Sequence, residues 1–278
     1  MLSDDQAKAS VSLNAWQSVL CDLAACLRFY SRLPVPRLPW ETDPHAAPDI
    51  NGMARVVPLG GAIIGFLPAL ILAGALLLDL EPWVSAALSV ATMTLITGAF
   101  HEDGLADMAD SFGGATLSRR LEIMKDSRLG SFGASALTLG FLLRVGILAT
   151  LATRLDPVPA ALVVIASAAL SRTAGLTPLV FLAPARHDGA SHAVGQPSRD
   201  AYWLAAILAA FIAIALGWCV DLPRPGIGLM LISPALTGLA MTRISARHLN
   251  GQTGDVAGAT QQVAEIAAML GLLIATHP

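Results

Sequence analysis

Long apolar stretches alternate with short polar connections along most of the chain. Seven windows contain about 20 mostly apolar residues each, the length that a helix needs to cross the hydrocarbon core of a bilayer. The windows are 56–78, 82–100, 131–153, 157–182, 201–220, 225–243 and 256–275. The first and last are the weakest, because glycine and proline dilute the first and polar residues interrupt the last. The pattern predicts an all-α, polytopic transmembrane bundle of about seven spans, forming one integral membrane domain over residues 1–278.

The amino-terminal part of the chain has a different pattern. Within residues 11–33, Leu and Val are interleaved with Asp22, Arg28 and Arg32, which is typical of an amphipathic helix lying at a membrane interface. We therefore expect residues 1–55 to form a cytoplasmic or interfacial segment. No cationic start followed by a short apolar run and a cleavage site is visible, so no cleaved signal peptide is expected.

Composition excludes several classes of protein. The 278 residues are 55% hydrophobic and only 13% charged, with a net charge of −3, whereas soluble domains carry roughly 25% charged residues. A disordered chain and a nucleic-acid-binding protein are both excluded. The three cysteines form no ligand pattern, so they do not indicate a disulfide-stabilised module or a metal site. Membrane lipid is the expected surrounding, and no nucleic acid is expected as a partner.

The basic residues predict an orientation. If the amino end is cytoplasmic, thirteen of the seventeen Lys and Arg residues fall on the cytoplasmic side and only Arg154 and Arg224 on the opposite side. Arg144 and Arg172 lie within predicted spans. Cytoplasmic loops are enriched in Lys and Arg, so this distribution predicts seven spans with the carboxyl end outside.

The densest polar segment is the predicted cytoplasmic connection 101–130. Glu102, Asp103, Asp107 and Asp110 follow an apolar span with no basic residue among them, and spacings of four and three place the three aspartates on one helical face. Like charges so placed repel unless a cation lies between them. Oxygen ligands favour a hard cation such as Mg²⁺, so these four acids are the predicted metal ligands. A helix end whose acids are merely solvated is the alternative.

The segment 124–134 has the composition of a phosphate site. It offers Lys125, Asp126 and Arg128 beside glycines that let backbone approach a ligand. A solvated basic turn explains the same residues equally well.

The segment 254–266 places polar residues at the start of an apolar helix and inside it. They are Asp255, Gln261, Gln262 and Glu265. An intramembrane carboxylate is costly and marks a candidate functional site, so these residues are predicted to contact substrate. The alternative for Glu265 is a buried ion pair with Arg144 or Arg172.

Several of these runs together resemble one known family. HEDGLADMADSFGG, RLEIMKDSRLGSFGA and GDVAGATQQVAEI are similar to motifs of the cobalamin synthase family, the adenosylcobinamide-GDP ribazoletransferases, and FYSRLPVP and PLGGAIIG resemble its amino-terminal pattern. The resemblance runs in order from about residue 27 to 272. Ser111 departs from the pattern, because the family usually has glycine after the third aspartate.

The resemblance implies an enzyme of the bacterial cytoplasmic (inner) membrane with its active side cytoplasmic. Such an enzyme joins adenosylcobinamide-GDP to α-ribazole, or to α-ribazole 5′-phosphate, and releases GMP in a Mg²⁺-dependent reaction that completes the nucleotide loop of vitamin B12. The oligomeric state is left open between a monomer and a homo-oligomer.

The implied chemistry gives the candidate residues their roles. Asp110 is the first candidate for the base that deprotonates the incoming hydroxyl, and His101 is the second. Three basic residues would neutralise charge on the phosphoryl oxygens, namely Lys125, Arg128 and Arg172.

Two other functions remain open from the residues alone. A CDP-alcohol phosphotransferase making a phospholipid shares Asp103, Gly104 and Asp107, but in this chain Ala106 precedes an Asp rather than an Arg and no GxxxDxxxD run follows. An ion-coupled transporter could use Glu265 with the two intramembrane arginines. That function predicts inverted repeats, and no convincing repeat is visible.

Overall fold

The computed structural model describes residues 13–41, 43–44, 48–186 and 195–276, and in these ranges it contains ten α-helices and no strand. The helices are α1 Ala15–Tyr30, α2 Ile50–Leu77, α3 Pro82–Thr97, α4 Phe100–Asp110, α5 Leu117–Ile123, α6 Ser131–Arg154, α7 Pro157–Phe181, α8 Arg199–Cys219, α9 Arg224–Leu249 and α10 Gly254–Ala275. The all-α prediction is confirmed. Helix α1 covers most of the predicted amphipathic segment, whose residues 11 and 12 lie outside the described ranges.

Six helices are long and apolar enough to cross a membrane, namely α2, α6, α7, α8, α9 and α10. They coincide with six of the seven predicted windows, including the two weakest. The seventh window, 82–100, is not one straight helix. Helix α3 has 16 residues, or about 24 Å at 1.5 Å per residue, which is short of the roughly 30 Å hydrocarbon core.

The helical conformation is interrupted between α3 and α4. Gly98 and Ala99 both adopt positive φ, 65° and 57°, and the two helices meet at a bend of 89°. The bundle therefore has six spans, or seven if the bent pair counts as one. The expectation of one uninterrupted helix was wrong here, because apolar composition alone carries no signal for a left-handed Ala99.

Helix α7 forms the centre of the bundle. It packs against α2, α8, α9 and α10, and eleven of its 25 residues are Gly, Ala, Ser or Thr. Small residues allow close approach of its neighbours: a Cβ added at Gly61 of α2 would lie 2.6 Å from the Ala168 carbonyl oxygen. The glycine pairs in the spans thus serve helix packing, as small residues do at membrane helix interfaces.

Helix α4 lies within the bundle, antiparallel to α10. A Cβ at Gly104 would meet the Asp255 carbonyl oxygen at 2.8 Å, and one at Gly258 would lie 3.4 Å from the Cα of His101. The segment expected to be a surface connection therefore begins with a packed helix. This packing brings the acids of α4 against the polar amino end of α10.

Candidate active site

A cavity of about 360 Å³ lies between α1, α2, α4, α7 and α10. Its polar wall includes His101, Asp103, Arg172, Arg186, Asp255 and Gln261. Five of these residues were predicted site residues drawn from three separate segments of the sequence. The fold thus brings together the acidic run of α4, the polar start of α10 and an intramembrane arginine.

The carboxylates at this wall come from two facing helices. Asp103 and Asp255 line the cavity, and Asp107 lies one turn beyond Asp103, where it interacts electrostatically with both and with Asp110. Arg186 is the nearby cation, with Nη2 3.5 Å from Oδ2 of Asp255. Mutual repulsion of three carboxylates with one basic neighbour favours binding of a further cation.

The donor set fits a hard cation that shares its ligands with a substrate. Among the described residues no group of three or more His, Cys, Asp or Glu side chains is already arranged around one metal position. Mg²⁺ commonly uses one or two carboxylates, with water and substrate phosphates completing its shell. Asp103, Asp107 and Asp255 supply oxygen donors of that kind.

Arg172 is a buried cation at the cavity. It is 3% exposed, and its guanidinium donates to the Ala168 carbonyl oxygen at 3.2 Å and to Met93 Sδ at 3.5 Å. In the described part of the chain it forms no ion pair, and its Nε has no hydrogen-bond partner. Glu265 and Glu102 interact with its charge electrostatically, but neither forms a hydrogen bond with it among the described residues. Because a buried polar group without a partner is costly, an anionic group in the cavity would be a favourable partner for this residue.

Glu102 and Glu265 are engaged elsewhere, in an ion-pair network around Arg144. Arg144 is 1% exposed, and its Nη1 and Nη2 lie 2.8 Å from Glu102 Oε1 and 3.0 Å from Glu265 Oε1. Gln262 accepts from Nη1 at 3.2 Å, and Gln261 donates to Glu265 Oε2 at 2.8 Å. The alternative of a buried ion pair is therefore what the geometry shows for Glu265. Of these four predicted site residues, only Gln261 lines the cavity.

Asp110 is held at the amino end of α6. Its carboxylate accepts the backbone N–H groups of Gly130 at 2.8 Å and Gly133 at 2.7 Å. The α6 helix has no capping side chain of its own, so Asp110 satisfies donors that would otherwise be unpaired. This contact places Asp110 outside the cavity wall, although it was predicted as both ligand and base.

The basic turn after α5 also lies outside the cavity. Arg128 is 85% exposed and pairs with Asp126, and the hydrogen bonds from its guanidinium lower the pKa of Asp126 to about 2. Lys125 lines a separate shallow cleft of about 380 Å³, which Arg186 shares. Among the described residues, the Lys and Arg side chains that line the cavity are therefore those of Arg172 and Arg186.

Sequence reasoning missed two residues of the site. Arg186 follows α7 and was counted only as a cytoplasmic charge, and nothing in its local sequence distinguishes it. Tyr30 ends α1, and its ring stacks on His101 with centroids 5.7 Å apart and planes 3° from parallel. His101 is buried and its Nε2 has no partner among the described residues. The run FYSRLPVP contains Tyr30, but only the family resemblance of that run gave a reason to consider this residue.

Comparison with known proteins identifies the family. Residues 22–273 match the family described as cobalamin-5-phosphate synthase. The chain belongs to the cobalamin-5-phosphate synthase family. It is 52% identical over 264 residues to the adenosylcobinamide-GDP ribazoletransferase of Azorhizobium caulinodans, covering 94% of this chain and 98% of that protein. Its identity to the enzyme of that name from Xanthobacter autotrophicus is 46%, covering 91% and 96%.

Membership of the cobalamin-5-phosphate synthase family confirms the resemblance found in the sequence. It decides against both alternatives, the CDP-alcohol phosphotransferase and the ion-coupled transporter. No solved structure matches the chain. The apolar spans and the family together make this an integral membrane transferase of cobalamin synthesis.

Proposed function

We propose that this protein joins adenosylcobinamide-GDP to α-ribazole or its 5′-phosphate and releases GMP, which completes the nucleotide loop of cobalamin. The observation that carries the proposal is the cavity between α4, α7 and α10, where facing carboxylates meet the buried Arg172. Relatives named for this reaction align over nearly the whole chain, including these three helices.

The cations of the cavity are suited to the diphosphate of the cobinamide substrate. Arg172 lines the cavity, and its buried Nε has no hydrogen-bond partner in the described part of the chain. Arg186 lies at the acidic edge beside Asp255. Guanidinium groups form strong charge-assisted hydrogen bonds to phosphate oxygens. We assign diphosphate binding to these two residues, while Lys125 and Arg128 remain predictions outside the cavity.

The proposed reaction depends on Mg²⁺, for which one or two of the carboxylates of Asp103, Asp107 and Asp255 would be the protein ligands, with substrate phosphate oxygens and water completing the shell. A bound cation would neutralise the diphosphate and polarise the bond that breaks. Glu102 contacts Arg144 and Asp110 contacts the amino end of α6, which argues against Glu102 and Asp110 as metal ligands. We therefore remove both from the predicted set of ligands and add Asp255.

We assign the proton transfer to the chain's own groups. The 5′-oxygen of α-ribazole attacks the cobinamide-side phosphorus; the new O–P bond forms and the bond to the GMP oxygen breaks. His101 lines the cavity, and its Nε2 has no partner among the described residues, so we assign to it the role of accepting the hydroxyl proton. Asp110 already accepts two backbone N–H groups, and we therefore place His101 ahead of it as the base.

We also propose that the cavity opens to the cytoplasm of a bacterial inner membrane. The thirteen-to-two division of basic residues supports this orientation. A carboxyl end outside requires that the bent α3–α4 pair crosses as one span.

The test is reconstitution with defined substrates. Purified protein in lipid nanodiscs is incubated with adenosylcobinamide-GDP, α-ribazole and Mg²⁺, and GMP and the joined corrinoid are quantified by liquid chromatography with mass spectrometry. We expect stoichiometric release of GMP and formation of the corrinoid, both abolished by EDTA and restored by Mg²⁺. Absence of both products contradicts the function, and undiminished activity in EDTA contradicts the metal requirement.

A further inference from the structure

The cavity has a second wall, which is apolar and which the phosphate chemistry does not use. Helices α1 and α2 and the last turns of α7 contribute the partly buried Tyr30, Ile50 and Leu179, which pack on the buried Met53, Ala54 and Leu176. Apart from the Tyr30 hydroxyl, these side chains carry no hydrogen-bonding group. A ligand part placed against them has to be apolar as well, because burying an unpaired polar group is costly.

The apolar wall adjoins the polar one. Tyr30 stacks on His101, and Leu176 follows Arg172 by one turn of α7, so both lie on the same face of that helix. A ligand in this cavity can therefore rest a flat apolar part near Tyr30 while a polar part reaches Arg172 and Asp103. A nucleoside has these two parts, a flat base and a polar sugar.

The size of the cavity limits what can enter it. Pockets for drug-sized ligands have volumes of roughly 300–1,000 Å³, and this one, at about 360 Å³, is near the lower limit. A single nucleoside is within that class. The corrinoid macrocycle with its side chains is far larger, so it has to remain outside while its diphosphate reaches the polar wall.

The two substrates of the proposed reaction each contain a nucleoside, and the bases of these nucleosides differ in polarity. Guanine carries a full edge of donors and acceptors, which would be left unpaired against this wall at a cost. The base of α-ribazole, dimethylbenzimidazole, presents two methyl groups at the corresponding edge. We propose that the apolar wall of the cavity is the subsite for the dimethylbenzimidazole base of α-ribazole, an inference that rests on the proposed function for the identity of the substrates.

Binding of α-ribazole alone tests the subsite without turnover. Leu179→Trp fills the apolar wall, whereas Leu70→Trp, on the exposed face of α2, is the matched control. By isothermal titration calorimetry in detergent we expect the dissociation constant for α-ribazole to rise at least tenfold in Leu179→Trp and to stay unchanged in Leu70→Trp. Guanosine at millimolar concentration should not displace α-ribazole.

An analogue keeps the test independent of the variant's folding. The α-riboside of benzimidazole lacks both methyl groups, each worth about 0.8 kcal/mol when buried, so wild-type protein should bind it about 15-fold more weakly at 1.36 kcal/mol per decade. Equal binding of the analogue, displacement by guanosine, unchanged binding in Leu179→Trp or no binding of α-ribazole overturns the subsite. Failure of the function itself is detected separately, as absence of GMP release by wild-type protein.

Discussion

Removal of each of the two buried arginines should have a different main effect, on stability for Arg144 and on turnover for Arg172. Arg144→Leu deletes a guanidinium that pairs with Glu102 and Glu265, and so leaves two carboxylates without their partner in the bundle. Breaking a buried pair costs about 3–5 kcal/mol. At about 2–4 °C per kcal/mol for a chain of this order of size, the apparent Tm should fall by about 6–20 °C. Arg172→Leu deletes a cation that forms no ion pair among the described residues, so stability should change far less while turnover is lost.

The assay is thermal unfolding followed by tryptophan fluorescence in detergent, together with GMP release at a temperature where all variants are folded. Arg128→Leu, at an exposed arginine, controls for loss of positive charge. The double variant Arg144→Leu/Glu265→Leu should recover part of the stability, because contacting residues are not additive. Equal destabilisation by Arg144→Leu and Arg172→Leu would contradict the different roles of the two arginines, as would strict additivity in the double variant.

Two further predictions concern orientation and pH. In a variant without native cysteines, Ser118→Cys should react with an impermeant thiol reagent only from the cytoplasmic side and Asp221→Cys only from the opposite side; the reverse pattern contradicts the charge distribution. The hydrogen bond from Arg28 lowers the pKa of Glu41, so its stabilisation is present above the ordinary pKa and is lost as the pH falls through the lowered value. The Tm of wild-type protein should therefore drop on acidification below about pH 4.5, and Glu41→Gln should show a smaller drop; equal drops would contradict this role.

The fold was largely predictable because bilayer length and apolar composition are strong constraints on a span. The break at Gly98–Ala99 was not predictable, since its cause is a backbone conformation that alanine rarely adopts. The four acids of the predicted cluster all lie on α4, and their role as metal ligands stays a prediction. The spacing of the acids along the chain does not show which residues of other helices face each side of α4.

Individual acids illustrate this limit. Asp103 and Asp107, four residues apart, share a helical face as predicted, and that face meets the cavity. Glu102 points about one hundred degrees away, toward Arg144 on a helix more than forty residues later. Asp255 completes the acidic wall only because α4 packs against the start of α10. Such pairings depend on tertiary contacts, which one sequence without the fold does not reveal.

The role of the cavity carboxylates in catalysis is tested most directly by comparing GMP release by Asp103→Asn and Asp126→Asn. Both changes remove one carboxylate of the same size, but Asp103 lines the cavity whereas Asp126 pairs with the exposed Arg128. Losing a few kcal/mol of transition-state stabilisation lowers the rate by several powers of ten at 1.36 kcal/mol per decade. We expect that loss for Asp103→Asn, with an unchanged Tm, and near wild-type release for Asp126→Asn. Near wild-type GMP release by a folded Asp103→Asn protein, at saturating and limiting Mg²⁺, would contradict this role.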